Sequence, residues 1–131
     1  MSKSSRIGAI LSFLDEFSRP EFEPGTWSQA ADGFMPFYTP SESVEEFISS
    51  LYDHGWVRGD FNWTEWRGEA SRYLNEPELL ASADVATIQK LFTTHVRQDR
   101  FCEGYIASMF KNGHIKAIIE RLEAIRLTLK P

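Results

Sequence analysis

Apolar side chains recur every three or four residues along nearly the whole chain, and this periodicity limits the possible folds more than any other feature. The first stripe consists of Ile7, Ile10, Leu11, Leu14 and Phe17. Such spacing places apolar side chains on one face of an α-helix, whereas a half-buried strand alternates apolar and polar residues. Only Trp56-Val57 suggests a short extended piece. We therefore predict an all-α fold with no sheet beyond a minor hairpin.

Helix-capping residues divide this pattern into about five to six helices. Ser43-x-x-Glu46 has the form of a capping box and is predicted to open the second helix. Asn62 and Asp84 precede the next two apolar stripes, and short polar side chains of this kind favour the N-cap position. The sequence therefore predicts a compact bundle in which helices two, three and four begin near these residues.

We expect the first helix to end at Arg19-Pro20, because the residue before a proline avoids the helical conformation. Two further predictions concern the end of the chain and the segment that follows the first helix. A fifth helix is predicted from Arg100 to Lys111, where Asn112-Gly113 supplies a left-handed terminal residue before a last helix over 114–129. Residues 21–40 hold three prolines, two glycines and five aromatics. We expect a long aromatic-rich loop there, with a short turn near residues 27–32.

Length and composition indicate one intracellular domain. A chain of 131 residues has the usual size of a single domain, so we predict one helical domain over residues 1–131. The single Cys102 cannot form an internal disulfide, which favours a reducing compartment. The N-terminal apolar run is interrupted by Gly8 and Ser12, unlike a signal peptide, and no stretch approaches the roughly 20 apolar residues of a membrane span. We expect a cytoplasmic protein without membrane contact.

The net charge of −5 is unevenly distributed. Residues 1–94 carry 15 acidic and 7 basic side chains, whereas residues 95–131 carry 4 acidic and 7 basic ones. Either the two parts pack together and neutralise each other, or one of them meets a partner of opposite charge. The second helix is predicted to present an acidic face to solvent. That face consists of Glu42, Glu45, Glu46 and Asp53.

The densest group of charged residues contains Arg97, Asp99, Arg100 and Glu103. Helical spacing would allow Arg100 to pair with Glu103. Two arginines beside two carboxylates suit phosphate binding, or a carboxyl group held at a raised pKa for acid–base chemistry. The same residues also suit a partly buried charge network that ties the fourth and fifth helices to a tryptophan-rich layer. Both interpretations remain open on sequence alone.

Aromatic and metal-ligating side chains give two further candidates. Trp63 and Trp66 are three residues apart and so face one side of their helix, where they line a ligand cleft or belong to the core. The other aromatic residues that would line this cleft or fill the core with them are Trp27, Phe34, Phe37, Tyr38, Trp56 and Phe61. His95, Cys102 and His114 lack the spacing of metal ligands. We predict no metal site and no cofactor.

Several segments resemble an uncharacterised family of small bacterial and archaeal proteins. The resemblance rests on Met35-Pro36-Phe37-Tyr38, Phe61-x-Trp63-x-x-Trp66, Leu91-Phe92-Thr93-x-His95-Val96-Arg97-x-Asp99-Arg100-Phe101-x-Glu103-Gly104 and Gly113-x-Ile115-x-x-Ile118. It covers most of the chain after about residue 20. The resemblance implies no activity, and it implies that the Arg-x-Asp-Arg-Phe-x-Glu-Gly run starting at Arg97 is the family's signature.

Two function classes follow. The first is a non-catalytic protein-interaction module, because no catalytic motif is present and the acidic face suits a basic or nucleic-acid-binding partner of a defence or mobile-element system. The alternative is a small-ligand-binding protein or enzyme that uses the Arg97, Asp99, Arg100 and Glu103 cluster beside an aromatic cleft. Direct nucleic-acid binding is not expected, because the chain is acidic and has no basic stripe. A homo-oligomer is compatible with the sequence, which does not decide whether the protein is an enzyme.

Overall fold

The computed structural model describes residues 3–28 and 37–129, and most of these residues lie in α-helices. The helices are α1 (Lys3–Leu11), α2 (Leu14–Phe17), α3 (Glu42–Asp53), α4 (Trp63–Asn75), α5 (Pro77–Leu80), α6 (Val85–Asp99), α7 (Tyr105–Lys111) and α8 (His114–Thr128). Strands β1 (Gly25–Trp27) and β2 (Tyr38–Pro40) form one antiparallel hairpin. The prediction of a mostly helical bundle with a minor hairpin is confirmed. No helix within the described ranges is both long and apolar enough to cross a membrane.

The N-terminal helix is divided into two, where the sequence predicts one continuous helix. The chain turns between Leu11 and Leu14, and the Ser12 hydroxyl donates to the carbonyl of Ala9 at 2.8 Å. Serine hydroxyls that bond to a preceding carbonyl commonly bend or end a helix. Ile7, Ile10 and Phe17 are nevertheless buried, as the apolar stripe predicts.

The hairpin lies inside the predicted loop and not at Trp56-Val57. Its register pairs Gly25 with Pro40 and Trp27 with Tyr38. The Trp56 side chain is instead buried in the core, and its indole N–H donates to the carbonyl of Arg6 at 3.2 Å. The turn predicted over residues 27–32 lies largely outside the described residues, as does Phe34.

Helix caps confirm some of the predicted starts and correct others. The Asp84 carboxylate accepts the Thr87 N–H at 2.8 Å and caps α6, as predicted. The cap of α3 is Ser41, which accepts the Val44 N–H at 3.3 Å, so the predicted capping box at Ser43 is wrong. Asn62 occupies the N-cap position of α4, but its side chain bonds a threonine hydroxyl and no backbone N–H. Gly113 adopts the predicted left-handed conformation, with φ of +84°.

Helix α6 is the central element of the core, since its side chains from Leu91 to Val96 are all buried. Helices α4, α7 and α8 pack against it, and α1 packs against α8. Near the N-terminus, edge-to-face contacts of Phe17 with Phe47 and Phe110 close the core. A fully buried stretch of helix is normally apolar. The buried stretch of α6 instead includes the polar residues Thr93, Thr94 and His95.

Candidate functional site

The predicted charged cluster lies in a turn and not in a helix. Helix α6 ends at Asp99, residues 100–104 form a turn, and α7 begins only at Tyr105. Gly104 lies between the two helices with φ of +81°, a conformation that glycine adopts without strain. A Cβ atom added at Gly104 would lie 2.7 Å from the ring of Trp27, so the hairpin packs directly on this turn. The predicted helix start at Arg100 is therefore wrong.

Asp99 has a structural role in this turn. Its carboxylate accepts the backbone N–H of Ile106 at 3.0 Å and so satisfies a donor in the first turn of α7. Partial burial raises the pKa of Asp99, the Ile106 N–H opposes that shift, and the charge of Glu103 adds to it. The carboxylate thus links the end of α6 to the start of α7.

The arginines of the cluster do not form the predicted charge network. None of the ion pairs among residues 3–28 and 37–129 includes Arg97, Arg100 or Glu103. Arg100 Nη2 donates to the Tyr52 hydroxyl at 3.1 Å, so the predicted Arg100–Glu103 pair is wrong. The partly buried Arg97 lies near Gly59, and its guanidinium has no hydrogen-bond partner in the described part of the chain. Neither guanidinium is therefore neutralised by a carboxylate contact within the described part of the chain.

An exposed aromatic ring, that of Phe101, directly follows Arg100 in the turn. Phe101 is 78% exposed and stacks on Trp63 with ring centroids 5.8 Å apart and planes inclined by 30°. Tyr52, which accepts from Arg100, is 38% exposed. We call this group of five residues the aromatic–arginine surface. It consists of Tyr52, Trp63, Arg97, Arg100 and Phe101.

Within residues 3–28 and 37–129, Trp63 and Trp66 meet different aromatic neighbours, so these residues do not form the predicted cleft. Trp66 stacks on Tyr73 with ring centroids 5.9 Å apart, and the ammonium of Lys90 lies 5.9 Å from the Trp66 centroid. Trp63 lies only three residues before Trp66 on the same helix, but its ring contacts Phe101. The sequence pattern shows which residues share a helix face, but it does not show which neighbours they meet.

The acidic face of α3 is exposed, as predicted. Glu42, Glu45, Glu46 and Asp53 all lie on the surface, and none of them forms an ion pair with a described residue. Glu42 and Glu46 also line a shallow groove of about 430 Å³ with Glu21 and Glu23.

His95 belongs to a hydrogen-bonded chain of three side chains, one each from α6, α7 and α8, that the sequence did not predict. His95 Nε2 lies 3.1 Å from Nε2 of His114, and His95 Nδ1 lies 3.1 Å from the Tyr105 hydroxyl. Burial lowers the pKa of His95 to about 3, with a smaller contribution from His114, and burial lowers the pKa of His114 to about 4. Both imidazoles are therefore neutral near pH 7, so a single N–H is shared between the two facing nitrogens.

A cavity of about 410 Å³ lies beside this chain, between α4, α6 and α7. Helix α4 contributes Arg67 and Ser71, α6 contributes His95 and Gln98, and α7 contributes Tyr105. The side-chain oxygen Oε1 of Gln98 is buried and has no hydrogen-bond partner among the described residues. Convergent polar groups in a concave site of this size are typical of ligand pockets.

The sequence offered His95 and His114 as candidate metal ligands, without the spacing that such ligands require. In the described part of the chain no three His, Cys, Asp or Glu side chains converge in a way that would hold a metal ion, and Cys102 is exposed on the turn. The one sequence signal for the buried hydrogen-bonded side chains was that His95 lies inside an apolar helical stripe. Nothing in the sequence marked Gln98 or Tyr105.

Comparison with known proteins places the chain in a family without naming an activity. Neither the curated proteins nor the solved structures contain a match to this chain. Residues 2–128 match a family described as a family of unknown function, DUF6508. Because that match spans nearly all of the 131 residues, the chain belongs to the DUF6508 family.

Proposed function

We propose that this protein is a non-catalytic protein-interaction module that binds its partner through the aromatic–arginine surface. The observation that carries the proposal is Phe101, which is stacked on Trp63 and yet 78% exposed. Aromatic and arginine side chains dominate the binding energy of many interfaces. Covering the exposed ring would also remove apolar area from water, which favours association.

The charges of this surface indicate the chemistry of the partner. Among residues 3–28 and 37–129, Arg97 has no hydrogen-bond or ion-pair partner, and the Arg100 guanidinium donates to a neutral hydroxyl. A carboxylate of the partner would gain charge-assisted hydrogen bonds without breaking an existing ion pair. The partner is therefore expected to offer an acidic segment with an apolar side chain that covers Phe101.

Quantitative affinity capture tests this proposal. Phe101→Ser and Arg97→Gln are compared with wild type in extracts of cells that naturally make the protein, and recovered proteins are quantified by mass spectrometry. Leu127→Ser is the matched control, because Leu127 is 81% exposed but lies on α8. We expect each test variant to recover the partner at least about tenfold less well, the equivalent of about 1.4 kcal/mol, while the control recovers it fully. Equal recovery by all variants would refute the proposal.

A second candidate contact surface is the acidic face, because its four carboxylates are exposed and none of them pairs with a described basic residue. A basic or nucleic-acid-binding partner of a defence or mobile-element system suits that charge. Replacing Glu42, Glu45 and Glu46 by glutamine should then weaken capture and reduce its salt dependence. Replacing the exposed Glu120 and Glu123 by glutamine is the matched control. If only the Phe101 and Arg97 variants lose the partner, the acidic face is a solvated surface.

We also propose that the chain is one cytoplasmic domain of a family found in bacteria and archaea. The free thiol of Cys102 is exposed, which suits a reducing compartment. The run from Arg97 to Gly104 is proposed as the family's signature, because its residues cap α7, turn the chain and supply the exposed ring of Phe101. Fractionation of the native cells tests the location, and recovery with the membrane or secreted fraction would contradict it.

A further inference from the structure

We infer that the partner of the aromatic–arginine surface is a second copy of this chain, which binds through an acidic groove beside the start of α3. The inference rests on the proposed function, because it names the partner of the surface proposed there. The groove has a volume of about 430 Å³. Its lining includes Glu21, Phe22 and Glu23 from the segment after α2, and Glu42 and Glu46 from α3.

The groove carries negative charge that the described part of the chain does not balance. All four of these glutamates are exposed, and none of them pairs with a described basic side chain. The arginine beside the groove, Arg19, pairs with Glu16 at 3.5 Å. Like charges that lie close together repel one another, so cationic groups entering the groove would relieve that repulsion.

The aromatic–arginine surface supplies such cationic groups. Neither Arg97 nor Arg100 contacts a carboxylate in the described part of the chain, so each can form charge-assisted hydrogen bonds with a groove carboxylate without breaking an ion pair there. At about 0.15 M salt the Debye length is about 8 Å, so these close contacts outweigh the repulsion between two chains of net charge −5. The two surfaces are therefore complementary in charge.

Phe22 supplies the apolar side chain that the partner of Phe101 requires. Phe22 is partly buried, lines the groove and lies between Glu21 and Glu23. Phe101 is 78% exposed, so contact between the two rings would remove apolar area from water. The segment 21–23 thus combines carboxylates with an apolar ring, which is the chemistry that the aromatic–arginine surface favours in its partner.

The two surfaces are different parts of one chain, so every copy carries both. Tyr52, where Arg100 is held, lies almost three turns beyond Glu42 on α3, about 15 Å along the helix axis. This separation favours contact between the arginines of one copy and the groove of another. A copy that has lost one surface should therefore still bind through its other surface.

Sedimentation velocity of the purified full chain at about 0.15 M salt tests the inference in the absence of any other protein. We expect wild type to associate reversibly within the range from about 1 μM to about 1 mM. The arginine variant carries Arg97→Gln and Arg100→Gln. The glutamate variant carries Glu21→Gln, Glu23→Gln, Glu42→Gln and Glu46→Gln. Each should associate at least about tenfold more weakly than wild type.

Matched controls change exposed charges outside both surfaces. Arg67→Gln is the control for the arginine variant, and Glu120→Gln with Glu123→Gln is the control for the glutamate variant. Both control proteins should associate as wild type does.

Mixing the two variants gives the sharpest result, because the mixture keeps one complete contact. The arginines of the glutamate variant can still enter the intact groove of the arginine variant, so we expect the mixture to come within about threefold of the wild-type affinity. One component is labelled with a fluorophore at its N-terminus and not at Cys102, since Cys102 directly follows Phe101 in the turn.

Two results would overturn the inference. One is a wild-type protein that stays monomeric up to about 1 mM, and the other is a mixture that associates no better than its components. Circular dichroism checks that each variant is folded, and the milder pair Arg97→Gln and Glu46→Gln replaces a pair that is not. The wild-type concentration series needs no variant.

These outcomes are distinct from failure of the proposed function. If purified wild type stays monomeric while affinity capture recovers a partner that depends on Phe101, the partner is a different protein and only this inference fails. Equal capture of partners by all the capture variants would instead refute the proposed function itself.

Discussion

Acidification should destabilise this protein strongly, because two buried histidines must remain neutral in the folded state. Burial holds the pKa of His95 at about 3 and that of His114 at about 4, below the ordinary value of 6.5. At pH values between about 4 and 6.5, the histidines of the unfolded chain bind protons that the same histidines do not bind in the folded protein. The free energy of unfolding therefore falls as the pH falls below about 6.5.

The size of this effect follows from the two pKa shifts. Lowering the pH from about 7.5 to about 5 should remove about 2 kcal/mol of stability per histidine, and about 4 kcal/mol for the pair. That is a large part of the stability of a typical small domain. Asp99 acts in the opposite direction, since its raised pKa means that the folded protein retains a proton that the unfolded chain releases.

Urea unfolding of wild type and of His114→Gln at several pH values provides the test. Glutamine does not titrate in this range, so the variant should lose only about 2 kcal/mol over the same interval, whatever its stability at neutral pH. The contribution of Asp99 is common to both proteins and cancels in the comparison. His54→Gln is the matched control, because His54 is partly exposed at the end of α3 and the variant keeps the buried pair intact. Parallel stability curves for wild type and His114→Gln would refute the reasoning.

Thermal and urea unfolding test the remaining predictions about the turn. Gly104→Ala should lose at least about 2 kcal/mol, because it forces alanine into a left-handed conformation and against Trp27, and a loss below about 0.5 kcal/mol would contradict this. Gly68→Ala is the control, since open space surrounds this position inside α4, and it should gain about 0.5 to 1 kcal/mol. Asp99→Ala should lose about 1 kcal/mol with the cap of α7. Glu103→Ala should change stability by less than about 0.5 kcal/mol, because Glu103 forms no ion pair with a described residue. A larger loss would indicate that Glu103 pairs with Arg100 after all.

The helices were predictable because their signals are local. An apolar stripe, a capping aspartate at Asp84 and a left-handed glycine at Gly113 act within one or two turns of the chain. The predicted helix start at Arg100 was wrong because the local apolar spacing continues through Phe101 and gives no sign of the turn. The hydrogen bond from the Ile106 N–H to the Asp99 carboxylate, which fixes the start of α7, spans seven residues and is not visible in a local pattern.

The candidate sites depend on contacts that local patterns do not encode. His95 and His114 are 19 residues apart on different helices, and they meet only because α6 and α8 pack together. Gln98 is an ordinary polar residue near a helix end, and it lines a cavity only because α4 and α7 pack beside α6. The stacking of Phe101 on Trp63 likewise requires that the turn after α6 packs beside the start of α4.

Site-specific photocrosslinking tests the proposed recognition surface most directly. A photoreactive phenylalanine derivative is placed at Phe101, or at Leu127 as an equally exposed control on α8, and each protein is irradiated in the cells that naturally make it. We expect position 101 to give a defined crosslinked partner that Arg97→Gln weakens, and position 127 to give none. A partner captured equally from both positions, or from position 127 alone, would contradict the assignment of the aromatic–arginine surface.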